Sequence, residues 1–141
     1  MVTFIAFLIL LVLRGLFNLD FFPILIVYLA VRETTGSTVF WSAASGFIDD
    51  CLFYPHFLNF FSYTAIGGLS LFLKRFFAFE EEDLVLILVL IMTPVSILLM
   101  ALGMKFFYGA AYPNLIFSVI WKTALNVFIT FLLNFFYWRN R

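Results

Sequence analysis

From residue 84 to residue 107 the chain runs for 24 residues with one charged side chain, Lys105. A helix of that length is about 36 Å long at about 1.5 Å per residue, and a bilayer's hydrocarbon core is about 30 Å thick. Such a run fits only the core of a large soluble domain or a membrane. Composition decides between them: 65% of the 141 residues are hydrophobic and 11% are charged. Soluble domains are about 45–50% apolar and about 25% charged. A chain of this size has no interior large enough to hide the surplus, so the sequence predicts an integral membrane protein.

The other apolar runs predict an all-α, six-transmembrane-helix bundle in one domain, 1–141, with spans at about 2–17, 19–31, 38–54, 57–73, 84–107 and 115–138. The first run lacks a basic leader and a small-residue cleavage site, so it reads as a retained span. Arg14 is expected to snorkel to the headgroups and Asp20 to lie at the interface. Pro23 sits in a first helical turn, Pro55 helps end the third span, and Pro94 is expected to kink the fifth. Thr93 and Ser96 stand ready to satisfy the backbone groups that Pro94 frees.

Lys and Arg set the orientation. Arg32, Lys74, Arg75, Arg139 and Arg141 fall on the side holding both termini, against Arg14 and Lys105 opposite. Both termini are therefore expected in the cytoplasm. Tyr54, Phe57, Tyr108, Tyr112, Tyr137 and Trp138 fall near span ends, as interfacial aromatic belts require. In the longest charged connection, Lys74 and Arg75 close the fourth span and Glu80, Glu81, Glu82 and Asp83 open the fifth. These charges suit helix dipoles and equally suit a cytoplasmic docking patch; the two roles are compatible.

Little points to catalysis. Cys51 is alone and reads as a small helix residue, and His56 as a hydrogen-bonded interfacial side chain. No phosphate loop, nucleophile motif or ligand-spaced cluster is present, so no catalytic residue, metal or cofactor is expected, and no basic run suggests nucleic acid. A lipid phosphotransferase holding Mg²⁺ on an Asp pair would need further acids and bases on the cytoplasmic side.

The informative anomaly is "SGFIDDCLFY". Ser42 and Gly46 form a small-xxx-small pair that lets another helix approach closely. Asp49 and Asp50 follow, and a charge at mid-helix costs at least about 2.5–3.5 kcal/mol on insertion scales. Adjacent helical residues point about 100° apart, so the two acids face different surroundings, and which one faces inward stays open. Lys122, inside the last span, is the candidate cation. Depth along the helices favours an Asp50–Lys122 pair tying the third span to the sixth and fixing their register.

The order of these features resembles the MreD family of bacterial rod shape-determining membrane proteins. The matching elements are "PILIVYLAV" (23–31), a polar turn, and a small-residue span with a Gly-x-x-x-Asp signature at Gly46 and Asp50. "KTALN" (122–126) resembles the family's asparagine-bearing last span, which brings in Asn126. The chain differs in carrying Tyr54 and Leu58 where glycines usually follow the aspartate. The resemblance implies a non-enzymatic inner-membrane subunit of the elongation machinery. Its partners would be an MreC-like bitopic protein and, directly or through it, RodA and penicillin-binding-type peptidoglycan synthases and MreB. Gly46, Asp49, Asp50, Lys122 and Asn126 would then be structural or partner-contact residues. The family looks similar in fold to the substrate-binding components of energy-coupling-factor transporters. The alternative is thus a vitamin-type transporter subunit, whose acids and lysine would suit a zwitterionic ligand.

Overall fold

The structure, a computed structural model, describes residues 2–53 and 57–139, with side chains for 3–53 and 57–136. Tyr54, Pro55, His56 and Arg141, and the side chains of Tyr137, Trp138 and Arg139, lie outside the described residues. Six α-helices follow one another, with no strand among the described residues: α1 Val2–Phe17, α2 Phe22–Arg32, α3 Thr35–Leu52, α4 Leu58–Leu73, α5 Glu81–Tyr108 and α6 Leu115–Arg139.

Local chemistry sets the helix ends. Asp20 accepts from the Phe22 backbone N–H at 3.3 Å, and Pro23 occupies the first turn of α2, where its missing N–H costs no hydrogen bond. Thr34 caps α3 by accepting from Ser37 N–H at 3.3 Å, which starts that helix at Thr35 rather than at residue 38. Glu81, Glu82 and Asp83 enter the first turn of α5 instead of preceding it, where the dipole favours anions. Gly109, at φ 63°, stops α5 in the left-handed conformation that glycine adopts without strain.

Pro94 leaves α5 continuous from Glu81 to Tyr108. Ser96 Oγ donates to the Thr93 carbonyl at 2.8 Å, and Ser62 of α4 donates to the Ser96 carbonyl at 3.0 Å. Ser96 thus bonds one turn short of the Leu90 carbonyl, the acceptor that Pro94 deprives of its partner.

Helix α2 forms the centre, with nine of its eleven residues buried. It packs on α4 and α5, and Phe22, Ile26 and Val27 meet Tyr63, Ile66, Leu88, Val89 and Met92 in the core. α3 packs most extensively on α4, α5 on α6, while α1 touches α2 lightly. The α3–α4 contact depends on Gly46: a Cβ there would lie 2.4 Å from the Asn59 carbonyl oxygen and 2.5 Å from Phe60 Cα.

Two helices are long and apolar enough to cross a membrane, Glu81–Tyr108 and, in α6, Leu115–Phe136. α1, α2 and α4 are shorter than a standard span, and α3, with 18 residues, is long enough but less apolar. α2, with 11 residues, is about 16 Å long at about 1.5 Å per residue, because polar groups stop it at both ends. α6 turns Ile116, Phe117, Ile120, Trp121, Phe128 and Phe131 outward.

Candidate functional site

Among the described residues the charged side chains gather at the two ends of the bundle, with neutral polar side chains between. At the end holding the α1–α2, α3–α4 and α5–α6 connections, Arg14 Nε donates to Asp49 Oδ1 at 3.2 Å. Both side chains are removed from the surface, at 4% and 0% exposure. Their helices explain the match. Arg14 lies three residues before the end of α1 and Asp49 three before the end of α3, so both sit about 4.5 Å in from the same level. Arg14 therefore turns inward rather than snorkelling outward: a buried carboxylate at its own depth holds it.

Asp50 points elsewhere. Its Oδ1 accepts from the Asn59 backbone N–H at 3.0 Å and its Oδ2 from the Phe60 N–H at 2.7 Å. These are orphan donors of the first turn of α4, whose N-cap residue, Phe57, makes no side-chain cap bond. A carboxylate from a neighbouring helix does the capping, assisted by the α4 dipole. The expected Asp50–Lys122 bridge is not formed. Lys122 Nζ instead donates to Tyr112 Oη at 3.2 Å and lies 5.9 Å from that ring's centroid.

Asp20, expected at the interface, turns inward, and its Oδ1 accepts from Tyr63 Oη at 2.8 Å. Arg14, Asp20, Asn59, Tyr63, Tyr112 and Lys122 line one cavity of about 260 Å³. Between the ends, Asn126 Nδ2 donates to Thr93 Oγ1 at 3.2 Å, joining α6 to α5.

At the other end, Lys74 Nζ donates to the Ala30 and Val31 carbonyls at 3.2 and 2.5 Å, capping the end of α2. Arg32 lies 3.7 Å from Glu81. Tyr28 donates to Asn134 Oδ1 at 2.5 Å, and Asn134 Nδ2 donates to the Glu82 carbonyl at 3.2 Å. Arg75, Glu80 and Asp83 face outward. The charged connection thus divides: Lys74, Glu81 and the Glu82 carbonyl hold helices together, and Arg75, Glu80 and Asp83 are surface.

The structure brings Gly46 and Asp50 together at the α3–α4 contact, turns Asp49 to Arg14 of α1, and leaves Lys122 and Asn126 on α6, bonded to α5 and its following turn. Sequence reasoning missed Arg14, Asp20, Asn59 and Tyr63 as seam residues. Arg14 carried a signal in its depth; Asn59 and Tyr63 carried none. Among the described residues no group of three or more His, Cys, Asp or Glu could hold a metal ion. Set beside known proteins, the chain matches no family model, no curated protein and no solved structure.

Proposed function

We propose that this chain is a non-enzymatic, multi-pass membrane scaffold subunit of the MreD type, with both termini in the cytoplasm of a bacterial cell. In that reading it binds an MreC-like bitopic protein and links the MreB cytoskeleton to peptidoglycan synthesis. One observation carries the reading: Asp49 and Asp50, the acids most suggestive of chemistry, are both used to hold helices, one on Arg14 and the other on the start of α4. A seam built that way fixes helix register and leaves no paired carboxylate for acid–base work.

The six-span arrangement is supported by the outer surface. Phe4, Ile9, Phe40, Phe61, Leu102 and Phe128, from five helices, are exposed, and apolar surface this extensive calls for lipid around it. The short helices remain compatible with spanning, because mismatch costs only fractions of a kcal/mol per Å and thins the bilayer locally.

The test is purification of the tagged chain from its native membrane in mild detergent, with co-purifying proteins identified by mass spectrometry. Recovery of an MreC-like bitopic protein with cell-wall synthases is the expected result. Recovery of paired ATPases with a transmembrane coupling protein overturns it and makes the chain a transporter subunit.

A further inference from the structure

The cavity at the α1–α2/α5–α6 end has a property that helix packing does not require. Asp20 and Lys122 both line it, and both also line a smaller cleft of about 50 Å³ beside it, so they are near neighbours. Yet no ion pair joins them among the described residues. Asp20 places Oδ1 between the Phe22 N–H and Tyr63 Oη. Among the described residues Lys122 has only the phenol of Tyr112, a neutral acceptor, within hydrogen-bond reach. An anion and a cation facing one space without meeting are arranged for a molecule that carries both charges.

A second observation is independent of the first. Asn59 lines the same cavity, is 1% exposed, and its Nδ2 has no hydrogen-bond partner among the described residues. An unmet buried donor destabilises the fold, and an oxyanion in the cavity would relieve it. Arg14 adds no net demand for an anion, because Asp49 neutralises it. The remaining wall includes Leu58, Ile97, Met100 and Met104. These are apolar, and the two methionines adapt to the shape of what they contact.

We infer that this cavity binds a small zwitterion, an ammonium and an oxyanion on a short apolar body, with Asp20 taking the ammonium and Lys122 and Asn59 the oxyanion. The volume of about 260 Å³ equals roughly nine waters at ~30 Å³ each, enough for an amino acid with an aliphatic side chain. Two sources share this chemistry: a free apolar amino acid, and the ethanolamine phosphate headgroup of a lipid. The inference goes beyond the scaffold reading and stands or falls without it.

The test uses the full chain in nanodiscs of phosphatidylglycerol alone. L-leucine, 4-methylpentanoate and 3-methylbutylamine are each titrated by calorimetry. If the source is a free amino acid, leucine binds at least about tenfold more tightly than the acid or the amine alone, a gap of about 1.4 kcal/mol. Asp20→Asn and Lys122→Met each remove that preference. Lys122→Met is the safer variant, because Lys122 holds nothing but Tyr112 and its loss leaves the core intact. If the source is a headgroup, leucine does not bind. Substituting phosphatidylethanolamine for phosphatidylglycerol then raises the unfolding temperature of the unaltered chain but not of Lys122→Met. Three results overturn the inference: no leucine binding with no lipid effect, equal binding of leucine and 4-methylpentanoate, or a lipid effect undiminished in Lys122→Met.

Discussion

Replacing Gly46 with alanine tests the α3–α4 contact most directly. The new Cβ would lie 2.4 Å from the Asn59 carbonyl oxygen, 2.5 Å from Phe60 Cα and 2.7 Å from the Asn59 carbonyl carbon. All three are backbone atoms, which no rotamer change can move aside. Ordinary carbon contacts lie near 3.5–4.0 Å, so the helices must part by about 1 Å at this point. Asp50, one turn further along α3, bonds Asn59 N–H at 3.0 Å and Phe60 N–H at 2.7 Å. A displacement of that size takes both beyond about 3.5 Å and weakens them steeply. Overpacking costs about 1–3 kcal/mol, and hydrogen bonds in membrane proteins average about 0.6 kcal/mol each. Against these stands the gain of up to about 1 kcal/mol for alanine over glycine in a helix. The net expectation for Gly46→Ala is a loss of about 1–3 kcal/mol. Gly36→Ala and Gly68→Ala are the internal controls, since a Cβ at either meets nothing within 4 Å. Both should be neutral or stabilising. Reversible unfolding in mixed detergent micelles, followed by circular dichroism, measures all three. If Gly46→Ala falls within about 0.5 kcal/mol of Gly68→Ala, the ordinary scatter of surface substitutions, the close-approach reasoning is refuted.

Three further outcomes follow from the seam. Arg14→Met should destabilise by about 3–5 kcal/mol by stranding the Asp49 carboxylate, whereas Arg14→Met with Asp49→Leu should recover most of that loss; a double-mutant unfolding cycle measures the coupling. Asp50→Ala should cost about 0.5–2 kcal/mol as a lost cap, with amide exchange at Asn59 and Phe60 faster than elsewhere in α4. Lys122→Met should change stability by less than about 0.5 kcal/mol, and the swap of Asp50→Lys with Lys122→Asp should rescue neither single variant in the same assay.

The helices were legible because apolar run length is a one-dimensional signal. α1 falls at the expected residues, 2–17, because the apolar run is bounded by "NLD", which includes the left-handed Asn18. The ends of α3 and α5 were less so. Thr34 acts through a backbone N–H and the acids before Leu84 through the dipole of the first turn, and both extend a helix into residues that look like loop. α2 begins at Phe22 rather than near Leu19, because Asp20 caps it. Its apolar character also serves the centre of the bundle, where α4 and α5 cover it.

The partners of the two acids show why pairing is harder to read than placement. An arginine near the end of an apolar run ordinarily snorkels, which concealed that Arg14 and Asp49 stand equally far from their helix ends. Measuring depth for both cations would have favoured Arg14, since Lys122 lies seven residues into α6, about 10 Å along it. Asp50 had a partner with no letter of its own. The start of α4 offers N–H groups that Phe57 leaves uncapped, and an acid eight residues earlier on an antiparallel neighbour, across a close glycine contact, can reach them. Adjacent acids about 100° apart on one helix need partners in two directions. One direction led to a cation and the other to a helix end, so a search for a lysine opposite Asp50 sought in a side chain what the backbone supplied.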